Sequence, residues 1–256
     1  MYSFINYSKE GRIAKITINK PPYNVLDIKT MDEINLALDE VKKSEHELNV
    51  LIITSEGEKA FSAGVDVADH TKDKMDEMLR SFHGIFRRLE MLEIITIAGV
   101  KGAALGGGCE LAIGCDLIVS ADNGKFGQPE IKLAVFPPIA ITYLTQIVGR
   151  KRAFEIILLG ENISAYEAKQ IGLVNQVFPL QDFDKELMYY AKKFESMSGS
   201  ALKVTKQAFK KALNFDFERI LSNIEVMYTK DLMELDDANE GINSFLEKRK
   251  PVWKHK

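Results

Sequence analysis

The sequence predicts an α/β fold with a helical C-terminal part, and three observations carry that expectation. Short apolar runs, of the kind that form strands buried on both faces, alternate with longer stretches whose apolar residues recur every three or four positions. That alternation implies parallel βαβ units with right-handed crossovers. After Gln181 helical periodicity is nearly all that remains. The 256 residues are enough for a substantial core, and 46% hydrophobic with 28% charged residues is a globular composition, not a disordered one.

The elements follow in order. Two β-rich runs, 2–7 and 12–19, flank the turn-like Ser8-Lys9-Glu10-Gly11 and read as a hairpin, which Pro21-Pro22 ends because proline donates no backbone hydrogen bond. Ile28, Met31, Ile34, Leu38 and Val41 mark a helix, and 49–54 a buried strand. Met75, Met78, Leu79, Phe82, Phe86 and Leu89 mark a second helix, and 94–100 a second buried strand. Gly106, Gly107 and Gly108 open onto a short helix at 110–113, with a strand at 116–120. Helices at 143–148, 152–159 and 164–171 and a short strand within 173–178 complete the mixed part. Beyond it, Phe217, Ile220, Leu221, Ile224, Met227 and Tyr228 form a stripe that requires an apolar partner. Residues 1–195 are therefore expected to form the core and 196–256 a helical region, with no repeat or low-complexity linker.

Charge and composition narrow the function. With 34 Lys and Arg against 37 Asp and Glu, the net charge of −3 argues against a nucleic-acid binder. No apolar run reaches the ~18 residues of a membrane span, and the first residues lack the pattern of a signal peptide. The two cysteines, Cys109 and Cys115, cannot staple a chain of this size, so a reducing, cytoplasmic setting is expected.

Several chemistries drop out. The glycines at 106–108 are no dinucleotide fingerprint, since Leu111 stands where a further glycine is needed, and neither a GxxxxGK[ST] phosphate loop nor a GxSxG nucleophile elbow occurs. The histidines at 46, 70, 83 and 255 show no metal-ligand spacing, so no metal is expected. Three features remain. Lys59-Ala-Phe-Ser-Ala-Gly-Val-Asp66 follows a buried strand with small residues that let a backbone approach a ligand, although a tight connection explains it as well. Gly106-Gly-Gly-Cys-Glu110 sets unpaired N–H groups and a helix dipole beside a glutamate whose apolar neighbours imply burial and a raised pKa. Phe126-Gly-Gln-Pro-Glu130 carries a second glutamate after a proline, which is also an ordinary first-turn arrangement.

In order and spacing these segments resemble the enoyl-CoA hydratase/isomerase (crotonase) superfamily. The similarity runs through Asn24-Val-Leu26, Phe61-Ser-Ala-Gly-Val-Asp66, Ala104-Leu-Gly-Gly-Gly-Cys-Glu110-Leu-Ala112, Phe126-Gly-Gln-Pro-Glu130, Gly160-Glu-Asn-Ile-Ser-Ala165, Ala168-Lys-Gln-Ile-Gly-Leu-Val174 and Phe245-Leu-Glu-Lys-Arg249. The resemblance implies a ββα spiral core and an acyl-CoA thioester substrate, with CoA as the carrier half of the substrate and no other cofactor. It implies a homotrimer or dimer of trimers, assembled through the C-terminal helical region. By motif position the N–H groups of Val65 and Gly107 would hold the thioester oxygen, and Glu110 and Glu130 would jointly handle one water and its protons. Asn24, Val25, Leu26, Lys59, Ala63 and Asp66 would lie along the substrate, with Lys248, Arg249 and Lys250 as candidates for the nucleotide phosphates.

One segment departs from the hydratases of straight-chain substrates. Where those carry a glycine-rich stretch after the second glutamate, this chain has Phe136-Pro-Pro-Ile-Ala-Ile-Thr142, which stiffens the loop and adds apolar bulk. With Val65-Asp66-Val-Ala-Asp-His70 and Phe82-His-Gly-Ile-Phe86, this looks like the cyclohexa-1,5-diene-1-carbonyl-CoA hydratases of anaerobic aromatic degradation. Phe82, Phe86, Phe136, Pro137, Pro138 and Ile139 would then wall a slot for a flat ring. A short-chain enoyl-CoA hydratase, an isomerase or thioester hydrolase with the same oxyanion hole, and a non-catalytic or RNA-binding member stand as alternatives. The two glutamates argue against an inert scaffold and the charge against RNA.

Overall fold

Parallel pairing of short, mostly apolar strands organises the molecule. The computed structural model describes residues 2–213 and 216–255. Its main sheet has the order β1-β2-β3-β5-β7-β10, built from β1 (Ile5–Glu10), β2 (Ile13–Ile18), β3 (Val50–Ser55), β5 (Ile95–Val100), β7 (Leu117–Ala121) and β10 (Gln176–Phe178). Only β1 and β2 are antiparallel, and every later pair is parallel. The hairpin turn falls at Gly11 and Arg12, later than expected, with Ser8, Lys9 and Glu10 paired to Lys15, Ala14 and Ile13. Gly11, at φ 56°, supplies the left-handed residue of a two-residue turn, so β1 continues past its polar residues as an edge strand.

The sheet is buried on both faces. Ile13, Val50, Ile52, Ile97 and Val119 pack against Phe183, Leu187 and Ala191 of α7 (Phe183–Glu195). The other face packs on α1 (Ile28–Lys43), α2 (Met75–Met91) and α3 (Gly107–Ile113) in a cluster that includes Met31, Phe61, Phe86 and Leu111. Each buried phenylalanine or leucine contributes about 1.5–3 kcal/mol relative to exposure.

A second sheet follows the first. It has the order β4-β6-β8-β9, from β4 (Ala60–Ser62), β6 (Ala103–Leu105), β8 (Lys125–Gly127) and β9 (Ile163–Ser164). β4, β6 and β8 come after β3, β5 and β7, and each such pair of strands is followed by a helix. This is the ββα spiral implied by the resemblance. The sequence did not reveal these strands because two or three residues are too few to display a period of two. They matter because the second sheet places the segments that follow its strands, 63–66, 106–110 and 128–133, side by side.

The remaining helices are α4 (Pro138–Ile147), α5 (Gly149–Leu159), α6 (Ala165–Gln170), α8 (Gly199–Ala212), α9 (Phe217–Val226) and α10 (Asp236–Leu246). α4 begins five residues before the expected 143, with Pro138 at its start, where a missing N–H costs nothing. A π-helical turn, Met227–Leu232, prolongs α9. Buried Lys206 fastens α8: its Nζ donates to Ile94 O at 2.8 Å and to Asp116 Oδ2 at 2.6 Å. α9 packs on α4, and α10 on the short turns around 67–69 and 129–133. The helices after residue 196 thus lie back against the core, although Val204, Phe209 and Leu213 of the 202–235 stretch stay exposed. Positions 214 and 215 of that stretch lie outside the described residues.

Candidate active site

The site begins where two backbones nearly touch. Gly64, at φ 104°, has no room for a side chain: a Cβ there would stand 2.9 Å from Leu105 O and 3.3 Å from Gly107 N. Leu26 N–H donates to Gly64 O at 2.9 Å, and Asp66 N–H donates to Leu26 O at 3.1 Å. Gly64 and Asp66 are thereby turned toward Leu26, which leaves Val65 N–H on the opposite side. Across the gap is Gly107, the first residue of α3, so near that a Cβ on it would lie 3.2 Å from Val65 N. Among the described residues neither the Val65 nor the Gly107 N–H finds a protein acceptor. Two converging donors, one at the positive end of a helix, have the geometry that can hold a negatively charged oxygen.

Both glutamates meet this pair. Glu110, 3% exposed on α3, accepts at Oε1 from Ile139 N–H (2.8 Å) and Ala140 N–H (2.9 Å), in the first turn of α4. Glu130 lies in the short 3₁₀ segment Pro129–Leu133. A Cβ on Gly106 would come within 2.7 Å of Glu130 Oε1, so residue 106, at φ 51°, must be glycine for backbone and neighbour alike. The Gln128 amide, oriented with its nitrogen toward Glu130, donates to both carboxylate oxygens at 3.2 Å. Burial raises the Glu110 pKa to about 7, against the opposing pull of the two α4 N–H groups. Burial and then the charge of Glu110 push Glu130 well above the usual carboxylate range. The two carboxyls titrate as a coupled pair, and the pair holds a proton to higher pH than an ordinary glutamate does.

A cavity of about 400 Å³ opens on these groups. It brings together Ala63, Val65, Gly107, Glu110, Glu130, Phe82, Phe136, Pro137 and Pro138 of the residues singled out from sequence. Others stand behind the wall. Asn24, fully buried, donates to Glu56 O (2.9 Å) and Ala60 O (2.8 Å), pinning the loop that carries Leu26 to β4. Val25 is half-buried, and Leu26 is buried and acts through its backbone. Phe86 is buried edge-on to Phe82, with ring centres 5.0 Å apart. Lys59 is exposed and contributes a carbonyl to Ala103 N–H. Asp66 caps the turn Val67–Asp69, and Ile139 serves through its N–H. Arg249 is paired with Glu240 and Glu247, while Lys248 and Lys250 are exposed.

Sequence reading missed Met78, Leu79, His83, Tyr228, Ile242 and Phe245 as lining residues. Met78 and Leu79 share the helical stripe of Phe82, a usable signal. Tyr228 was legible only as part of a core stripe, because the π turn that delivers it leaves no mark in apolar spacing. Its ring meets Phe136 edge-on at 5.3 Å, and burial, with the charges of Glu110 and Glu130, raises its hydroxyl pKa. Among the described residues no group of three or more His, Cys, Asp or Glu side chains is arranged to hold a metal, and no helix is long and apolar enough to cross a membrane.

Comparison with known proteins gives the family and the fold. Residues 8–256 match the family model described as enoyl-CoA hydratase/isomerase. The chain is 36% identical to a probable enoyl-CoA hydratase of Mycobacterium bovis, covering 100% of this chain and 99% of the relative. It is also 36% identical to a short-chain-enoyl-CoA hydratase of Clostridium acetobutylicum, over 94% of each. The crystal structure of a carnitinyl-CoA hydratase from Mycobacterium avium superposes with a TM-score of 0.89 at 27% identity, over 100% of both chains.

The carboxyl pair makes stability depend on pH. A glutamate whose folded pKa is raised retains a proton that the unfolded chain releases, so its contribution is complete below the unfolded pKa, near 4.5, and is lost as pH rises through the folded pKa. Urea unfolding at pH 5 and pH 8 is expected to show Glu130→Gln gaining on the original chain by about 1–3 kcal/mol between the two. A pH-independent difference would contradict the raised pKa.

Proposed function

The chain belongs to the enoyl-CoA hydratase/isomerase family, and from that premise we propose that it adds water reversibly across the conjugated double bond of an enoyl-CoA thioester. One observation carries the reading: two glutamates and two unpaired N–H groups open onto one cavity. The thioester oxygen accepts from Val65 and Gly107, which draws electron density from the double bond. Ionised Glu110 takes a proton from water as its oxygen attacks the β carbon, and the enolate charge collects on the oxygen held by the two donors. Protonated Glu130 then delivers a proton to carbon, and one proton passing from Glu110 to Glu130 resets the pair. Isomerisation uses a single proton shuttle, so the retention of both carboxyls favours hydration. CoA is the carrier half of the substrate in this reading and no separate cofactor enters. Buried, unpaired Cys109 and Cys115 suit a reducing compartment such as the cytoplasm.

For the acyl group we propose cyclohexa-1,5-diene-1-carbonyl-CoA, converted to 6-hydroxycyclohex-1-ene-1-carbonyl-CoA in anaerobic benzoyl-CoA degradation. Water attacks the β carbon, the negative charge spreads over an extended dienolate, and protonation at its far end leaves one double bond conjugated with the thioester. Support comes from a stiff apolar wall of Phe136, Pro137 and Pro138 facing Phe82. A second reading, hydration of short linear enoyl groups, has the clostridial relative's name in its favour. We also propose a homotrimer or dimer of trimers through the C-terminal region, supported by exposed Val204, Phe209 and Leu213 on α8.

Three outcomes are expected. Glu110→Gln and Glu130→Gln each lower kcat for hydration by roughly 10²–10⁴-fold with little change in acyl-CoA affinity, and the double variant loses much less than the product of the two; near-normal turnover in Glu130→Gln removes that residue from the reaction. kcat/KM is higher for the cyclic dienoyl thioester than for crotonyl-CoA, whereas equal or better use of crotonyl-CoA establishes the linear reading. Light scattering at micromolar concentration yields a multiple of three chains, and a stable 28.8 kDa monomer rejects the assembly.

A further inference from the structure

His83 ends a charged chain at an otherwise apolar part of the cavity wall. It is fully buried in α2, one residue after Phe82, and it lines the cavity near Met78 and Leu79. Its Nδ1 lies 2.6 Å from Glu225 Oε1 on α9. Glu225 in turn accepts at both oxygens from Arg87 Nη2, at 3.0 and 3.1 Å, and Arg87 Nε donates to Glu218 at 3.0 Å. A carboxylate only accepts, so Nδ1 carries the hydrogen and Nε2 of the neutral ring is an acceptor directed away from Glu225. Burial favours that neutral ring. Among the described residues His83 Nε2 is one of two buried side-chain polar atoms with no protein partner; the other, the Tyr7 hydroxyl, is on β1 and does not line the cavity.

An acceptor oriented this firmly and left unpaired carries a desolvation penalty, which a donor on a bound molecule relieves. The reacting water already has Glu110 and Glu130. The charges acting most strongly on His83 are those of Glu225, Arg87 and Glu218, which lie on the α9 side. We propose that His83 is a specificity-determining residue of the acyl pocket, its Nε2 accepting a hydrogen bond from a hydroxyl carried by the acyl group beyond the reacting carbons. The inference rests on the hydratase reading but not on the unsubstituted cyclic dienoyl group, which carries no such hydroxyl; it calls for a ring or chain that bears one beyond the reacting carbons. At equal carbon skeleton, the hydroxyl-bearing enoyl-CoA is the better substrate.

Matched pairs test this: crotonyl-CoA with 4-hydroxybut-2-enoyl-CoA, and hex-2-enoyl-CoA with 6-hydroxyhex-2-enoyl-CoA. Sites built to bind a hydroxyl discriminate strongly against analogues that lack it. For at least one pair, kcat/KM of the hydroxylated thioester is expected to exceed that of its parent by about tenfold or more. That ratio falls to within about twofold in His83→Leu, whose side chain cannot accept, and is partly kept in His83→Gln. Glu225→Gln, which leaves His83 in place but no longer dictates its tautomer, lowers the ratio several-fold and decides the matter if His83→Leu does not fold. Two results overturn the inference: no hydroxyl preference in the original enzyme, or a preference that survives in the folded variants. Equal losses on parent and hydroxylated thioesters mark His83 as a structural brace and overturn it too. Hydration of the parents without hydroxyl preference removes this inference alone, as does hydration of only the cyclic dienoyl thioester, which bears no hydroxyl, whereas no hydration of any of the four or of the cyclic thioester removes the hydratase reading with it.

Discussion

Close approach of two backbone segments is the constraint on which the site depends. Val65 N and the first residue of α3 can converge only because residues 64 and 107 lack side chains: a Cβ on Gly64 would meet Leu105 O, and one on Gly107 would fall 2.7 Å from Val65 Cγ2. The short strands β4 and β6 bring the segments to this distance, and Leu26 sets the direction of the Val65 N–H by engaging the groups on either side of it. Asn24 belongs to the same frame. Its side chain ties the loop before Leu26 to the residues around β4, so its contribution to the site is made through backbone position.

The second constraint is electrostatic. Two carboxyls buried in one cavity cannot both be charged without a large desolvation and repulsion cost. The fold distributes that cost unevenly. Glu110 receives two N–H donors from the start of α4, which moderates its raised pKa, while Glu130 has burial and the charge of its neighbour against its ionisation. Burying the pair raises both carboxyls above the ordinary glutamate range, and it does so at the expense of stability as pH rises. The prolines ahead of Ile139 gain a role in this arrangement, since they set the start of the helix that holds Glu110 while they wall the acyl end of the cavity.

The C-terminal helices complete the site. Tyr228 from the π turn after α9 and Ile242 and Phe245 from α10 line the cavity, and Glu225 of α9 reaches across to His83 on α2. One part of the cavity wall is therefore assembled from helices stacked on the core, while the part around Val65, Gly107 and Glu110 is built on the strand-bound loops and α3.

The sequence alone determined the long elements, because Met31, Ile34, Leu38 and Val41, or Met78, Leu79, Phe82 and Phe86, repeat at helical spacing and the strands at 50–55 and 95–100 are mostly apolar. It also pointed to the glycines and glutamates of the site, weak signals singly that gained weight from the order and spacing in which the segments resemble the crotonase superfamily. Only the tertiary structure decided the second sheet, whose strands are too short to carry a period. The structure likewise decided that Glu110 leans on Ile139 and Ala140, that Asn24 and Phe86 stand behind the wall, and that His83 and Tyr228 face the cavity. These facts depend on distances between residues far apart in the chain. Spacing along a sequence reports which face of an element is apolar, and it is silent on what that face meets.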